Sequence, residues 1–246
     1  MQTVGILGGM GPAAGADFAR LFVQACAQQM RTLGLPVTDQ GFPEHWLAQV
    51  PVPDRMLALR EAASGITLGS QQPLDPMLQA LGRLAALGAR TVAIACNTAH
   101  AWHAALQARF PQIEVLHVAQ EVTAHLVATG VNQVALLATE GTYRTGLYQT
   151  ALNQVGIACI NPTPEEQKIL TQGIFDGVKA GNLPLAQSCF AQVASQLTLR
   201  HGALPLILGC TEIPLGLAGV ASVAQLQLID PSEVLAQALA QRAYRE

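Results

Sequence analysis

The chain alternates short, continuously apolar runs with longer segments whose apolar residues recur at helical spacing. Residues 4–7 are apolar and end at Gly8-Gly9, after which 12–30 reads as a helix. Within 74–87, Leu78, Leu81, Leu84 and Ala85 share one helical face. Leu183, Ala186, Phe190, Val193, Ala194 and Leu197 mark the stripe of a long later helix. Residues 91–95, 134–138 and 204–208 read as short buried strands, and 99–110 and about 145–154 as helices. A last helix covers 231–242, with Pro231 near its first turn, where a missing N–H costs nothing. Strands that are apolar on both faces and separated by helices belong in a parallel sheet covered on both sides. The predicted class is α/β.

A weak internal repeat runs through this pattern. Residues 3–8 resemble 133–138, and 92–98 resemble 206–211, each of the latter pair running from an apolar strand into a cysteine. The repeat predicts two similar α/β halves whose strand ends face one shared cleft. Gene duplication and a recurring βα grammar without common ancestry both account for it.

Composition narrows the picture. Half of the 246 residues are hydrophobic and 12% are charged, which excludes intrinsic disorder and supplies a sizeable core. The net charge of -3, without a Lys/Arg cluster, argues against nucleic acid or an anionic membrane as a partner. The start of the chain lacks the basic region of a signal peptide, and no run reaches the roughly 20 apolar residues of a membrane helix. Five cysteines without a C-x-x-C pair argue against a disulfide framework or zinc site, so a reduced, cytoplasmic setting is expected.

Cys96 and Cys210 each follow a buried strand and precede a predicted helix. Ligands of open α/β sheets bind outside the carboxyl ends of the strands. A helix N-terminus there would offer unpaired N–H groups and lower a thiol's pKa from its free value of about 8.5. Asn97, Thr98 and Thr211 add polar side chains suited to capping or to a bound carboxylate. A single cysteine is ordinarily a small core residue, and Cys26, Cys159 and Cys189 are read that way. Two cysteines in matched strand-end settings have the makings of an acid/base pair.

Residues 3–12 (TVGILGGMGP), 95–100 (ACNTAH), 136–142 (LLATEGT) and 208–214 (LGCTEIP) resemble the aspartate/glutamate racemase family across essentially the whole chain. Arg55 in VPDR and Lys168 in EEQK match family positions in the right order. Glu212 after Cys210-Thr211 is similar to the aspartate-racemase branch, where cell-wall glutamate racemases more often carry histidine. The resemblance implies two flavodoxin-like domains related by a pseudo-twofold axis, 1–118 with 214–246 carrying Cys96 and 119–213 carrying Cys210. It further implies a site in the cleft between them, no pyridoxal phosphate and no metal, and a homodimer. It places Met10, Asn97, Thr98 and Thr211 at the substrate's α-carboxylate and Arg55 and Lys168 at its distal carboxylate. One segment departs from the pattern: 42–49 (FPEHWLAQ) replaces an expected asparagine-bearing loop, so His45 and Trp46 are expected to reshape the distal pocket.

Other signals are weaker. Gly9-Met10-Gly11-Pro12-Ala13-Ala14 fits G-x-G-x-x-A, but Pro12 removes an N–H and no acidic residue closes a second strand. The alternative is a tight turn admitting a carboxylate to the backbone. His100 and His103 lack a third ligand at helical spacing, and His45, His117, His125 and His201 form no constellation. Glu212 reads either as a group ordering Thr211 or the Cys210 thiol, or as a surface charge. The expected function is interconversion of the enantiomers of an acidic amino acid, aspartate before glutamate, by two cysteines without a cofactor. A related carbon-acid enzyme, of the maleate isomerase or hydantoin racemase type, and a non-catalytic dicarboxylate-binding protein are the alternatives.

Overall fold

The computed structural model describes residues 1–65 and 72–245, apart from the side chain of Ser222. The chain divides into two compact units, Met1–Glu121 with Ser232–Glu246, and Val122–Pro231.

The first unit opens with β1 (Val4–Gly8) and α1 (Pro12–Thr32), followed by β2 (His45–Gln49), α2 (Arg55–Ser64), α3 (Leu74–Ala86) and β3 (Thr91–Ile94). A 3-10 segment at Thr98–Trp102 leads into α4 (His103–Arg109) and β4 (Glu114–Val115). All pairings are parallel, in the order β2-β1-β3-β4. The apolar faces of α3 and α4 cover β1 and β3 through Met77, Leu81, Leu84 and Leu106, all at most 1% exposed. Phe18 and Phe22 are the buried aromatics of α1.

Helix α5 (Val118–Ala128) crosses into the second unit. There follow β5 (Gln133–Ala138), α6 (Glu140–Thr145), α7 (Leu147–Asn153), β6 (Ala158–Ile160), α8 (Pro164–Gln172) and a π-helical turn at Gly173–Val178. Then come α9 (Leu183–His201), β7 (Leu206–Gly209), α10 (Glu212–Leu217), β8 (Leu228–Ile229) and α11 (Pro231–Ala243), which returns to the first unit. The second sheet is again parallel, in the order β6-β5-β7-β8. Each unit therefore repeats one topology, and the order reverses between its first and third strands, the place where open α/β sheets bind ligands.

Several expectations shift. The chain stays in the second unit through Pro231 rather than leaving it at 214, because β8 hydrogen-bonds alongside β7. The helix expected over 145–154 is interrupted by Gly146, whose φ of +61° ends α6 and starts α7. The helix expected over 99–110 begins as the 3-10 segment. Among the described residues, no helix is long and apolar enough to cross a membrane.

Candidate active site

In the first unit the site grows from the ends of β1 and β3. Gly9 has a φ of +99°, and a β-carbon on it would lie 2.2 Å from the Val50 carbonyl oxygen. Only glycine admits this turn, which brings the chain after β2 against the chain after β1. The Val50 N–H donates to the Gly8 carbonyl at 3.2 Å and continues the sheet register past Gln49. Met10 is thereby buried in the same apolar cluster as Cys96. The tight turn of the sequence reading is present, and its occupant is protein backbone.

Arg55, at the start of α2, closes over this turn. Its Nη2 donates to the Met10 carbonyl at 2.9 Å, and its Nη1 to the Val52 and Pro53 carbonyls, each at 3.1 Å. Asp54 caps the same helix by accepting from the Met56 and Leu57 N–H groups. The guanidinium sits beside Met10, with Nη1 and Nη2 engaged by backbone carbonyls and Nε buried without a partner among the described residues.

Cys96 follows β3 and is 7% exposed, with Asn97 and Thr98 buried next to it. His100 turns back to the Cys96 carbonyl, with Nδ1 at 2.9 Å. Its ring lies 5.4 Å from that of His117 and 6.2 Å from that of His103, and the latter two are 4.8 Å apart. This three-histidine cluster escaped the sequence reading, which treated His117 as isolated; His100 lies in the 3-10 segment, His103 opens α4, and His117 lies between β4 and α5. Burial first, and then the neighbouring His117, push His100 down to about 3. Burial and then His103 push His117 down to about 4. Both rings are neutral at pH 7.

In the second unit Cys210 follows β7 directly and is 6% exposed. Its thiol donates to Glu212 Oε2 at 3.0 Å, the Thr211 hydroxyl donates to the same oxygen at 3.1 Å, and Lys179 Nζ meets Oε1 at 2.7 Å. Burial pushes the Glu212 carboxyl up, but Lys179 and the hydrogen bonds from Cys210, Lys179 and Thr211 outweigh it and hold the group below its ordinary value. Burial, followed by the Glu212 charge, pushes the Cys210 thiol well above its ordinary value. This reverses the expectation of a thiol acidified by a helix N-terminus. The helix that follows, α10, has six residues, and the nearest full charge is an anion.

Packing explains why Lys179 reaches Glu212. Phe190 of α9 is fully buried, and β-carbons on Gly173 and Gly216 would lie 2.5 and 2.6 Å from its ring. The missing side chains let the π-helical turn and α10 close on the same ring. The Lys179 N–H bonds back to the Ile174 carbonyl at 3.0 Å, a five-residue step that places Lys179 at the end of that turn. Lys168 lies exposed in the second turn of α8 and takes no part in this cluster.

The 42–49 segment departs from its expected role. His45 and Trp46 pair with Val4 and Gly5 at the start of β1, whereas the ligand end of β2 is Gln49, opposite Gly8. His45 instead packs against Phe22, with ring centroids 5.1 Å apart. Gln49 Nε2 donates to the Pro12 carbonyl at 2.8 Å, and its Oε1 fills the space above Gly8 and Gly15. Gln49 is the residue the sequence reading passed over.

The profile of the Asp/Glu/Hydantoin racemase family matches residues 7–239. The chain belongs to this family. Among solved structures, an aspartate racemase of Picrophilus torridus superposes with a TM-score of 0.78 at 26% identity, over 100% of this chain and 96% of that one. The broad specificity amino-acid racemase RacX of Bacillus subtilis is 24% identical over 237 residues, 95% of each chain. A glutamate racemase of Pseudomonas aeruginosa is 29% identical over 160 residues, 62% of this chain and 57% of that one. The chain thus spans little more than half the length of that relative. The family membership accords with the α/β class and the doubled topology. Among the described residues, no group of three or more His, Cys, Asp or Glu has the arrangement of a metal site.

Proposed function

We propose that the chain is an amino-acid racemase in which Cys96 and Cys210 carry the protons. The observation that supports this most is positional. Each cysteine follows the third strand of its sheet, where the strand order reverses, and the two sheets share one topology. Inverting an α-carbon requires a base on one face and an acid on the other. A thiolate that removes the α-proton and a thiol that delivers one to the opposite face meet that need, and the pair titrates as a coupled unit. Asn97, Thr98 and Thr211 then serve the α-carboxylate, where donors stabilise the charge developing as the proton leaves. The chain's own thiols supply this chemistry, without pyridoxal phosphate or metal.

Aspartate is the proposed substrate, ahead of glutamate; the family resemblance puts Arg55 and Lys168 at the distal carboxylate, whereas the backbone bonds of Arg55 favour a clamp on the turn at Met10. The resemblance of the Cys210 motif and the likeness to the Picrophilus enzyme support aspartate. A second reading, broad specificity, is favoured by one observation: three backbone carbonyls hold the Arg55 Nη1 and Nη2 groups, which commits the guanidinium to the turn at Met10 and leaves only part of its fork, the buried Nε side, open. Incubation of both enantiomers of aspartate, glutamate and several neutral amino acids in deuterated water tests the proposal. Inversion should come with α-deuteration, and Cys96→Ala or Cys210→Ala should abolish it. Binding of a dicarboxylate without exchange would mark a binding protein. Full inversion in either variant would end the two-thiol reading.

A further inference from the structure

Corresponding positions in the two halves differ in charge. Two residues after Cys96 stands Thr98, and two residues after Cys210 stands Glu212. The Glu212 side chain is 7% exposed, accepts from both the Cys210 thiol and the Thr211 hydroxyl, and is bound on its other oxygen by Lys179. An ionised carboxylate only accepts hydrogen bonds. The 3.0 Å contact to Cys210 therefore requires a proton on sulfur. A thiolate at the same place would set two anions in contact within a buried site.

We propose that Glu212, held ionised by Lys179, keeps the single proton of the cysteine pair on Cys210 in the free enzyme, so that Cys210 enters turnover as the acid and Cys96 as the base. This rests on the two-thiol reading above. One proton passes from the substrate α-carbon to the Cys96 sulfur, and one from the Cys210 sulfur to the opposite face of that carbon. The enzyme is left with a Cys96 thiol and a Cys210 thiolate beside the Glu212 carboxylate. That pair of adjacent charges is relieved when Cys210 regains a proton from solvent and Cys96 yields one. Glu212 and Lys179 are thus positioning residues, acting through Cys210. Tyr143 and Tyr148, whose hydroxyls burial keeps neutral, also face Cys210, and they in turn face Cys159, Asp230 and the Glu166–Arg200 ion pair.

The test is site-resolved alkylation. Iodoacetamide labelling of the full chain is followed against pH by mass spectrometry of the Cys96 and Cys210 peptides, alongside the pH profile of kcat/KM. Cys96 and Cys210 are both buried, at 7% and 6% exposed, so the pH midpoint of each labelling curve, and not its amplitude, is the readout of charge. Cys96 is expected to label at lower pH than Cys210. Glu212→Gln keeps the shape and an acceptor but removes the charge. It should move the Cys210 labelling curve and the alkaline limb of kcat/KM down by about one pH unit or more. Lys179→Gln, at a side chain 29% exposed, should fold normally and move both upward, because it unmasks the Glu212 charge. A purely structural Glu212 would leave both curves in place under Glu212→Gln, and that result overturns the proposal. Labelling of Cys210 before Cys96, or a downward shift in Lys179→Gln, overturns it as well. The expected labelling shifts without any racemisation would support the proton placement and refute the function. Racemisation with unmoved curves would refute the placement alone.

Discussion

Arg55→Ala separates two roles that one side chain can play. Arg55 bonds the Met10 carbonyl across the sequence and the Val52 and Pro53 carbonyls locally, at 2.9 to 3.1 Å. Met10 is 3% exposed, so its carbonyl has poor access to replacement water. A hydrogen bond from a charged donor contributes about 1.5–3 kcal/mol, and an orphaned buried acceptor costs about 1–3 kcal/mol. Val52 and Pro53 are half-buried and can rehydrate, so the net loss is set mainly at Met10, roughly 2 kcal/mol. For a chain of this size that lowers Tm by about 4–8 °C. The catalytic consequence follows from the same geometry. Met10 sits on the turn after β1, so releasing it disturbs the site for every substrate, and kcat/KM should fall by a similar factor for aspartate and alanine. A direct contact to a distal carboxylate would instead cost the diacid alone about 10- to 150-fold. Arg55→Lys sharpens the contrast, because an ammonium restores the charge but cannot serve three carbonyls with a planar fork. Thermal melts and kcat/KM on both substrates decide the matter. An unchanged Tm with a loss confined to aspartate, rescued by lysine, would refute the clamp and restore the diacid contact expected from sequence.

Gly9→Ala should lower stability by roughly 2–4 kcal/mol in urea titrations, because it combines a φ of +99° with a backbone clash at Val50; a loss below 1 kcal/mol would mean that the turn relaxes freely. His100 and His117 have folded values near 3 and 4 against an ordinary 6.5, so the unfolded chain binds more protons in that window. Tm should therefore fall as pH drops from about 6.5 to about 4, with a shallower slope in His117→Gln; parallel curves would remove the histidines from the account. Racemase activity should survive exhaustive dialysis against a chelator, and restoration of lost activity by a metal or pyridoxal phosphate would contradict the two-thiol chemistry.

Strands buried on both faces were legible because they are continuous apolar runs. β1, β3, β5 and β7 fall within a residue or two of their expected places. β4 and β8 have two residues each, too few to show a period. β2 lies at the sheet edge with its residues half-buried or exposed, so it lacks the apolar run of its neighbours and reads as a loop. That misreading had a consequence at the site. Without a strand there is no direction, and nothing in 42–49 tells that His45 and Trp46 lie at the far end from Gln49. The return at Ser232 was hidden for the same reason, since only the pairing of β8 with β7 keeps 214–231 in the second unit.

The cysteines show what burial alone would have missed. Cys26 is 0% exposed and Cys189 5%, no less buried than Cys96 and Cys210. Burial pushes Cys26 up to about 12 and the half-buried Cys159 up to about 11, and it raises Cys210 as well, so a raised thiol does not separate the two groups. What distinguishes Cys96 and Cys210 is the strand end each follows, a property of order along the chain and hence visible in sequence. The charge around them is not such a property. Lys179 meets Glu212 from 33 residues away because a π-helical turn and two glycines fold it onto α10. No period or motif encodes that contact. The resulting inequality between the two halves is compatible with racemisation. The enantiomers are equal in free energy, so kcat/KM must be the same in both directions whatever the electrostatics. The Glu212 carboxylate beside the Cys210 thiol alters how that common value divides between kcat and KM for each enantiomer. Doubled topology supplies two strand ends of the same kind, and the residues after each cysteine are free to assign them different resting protonation states.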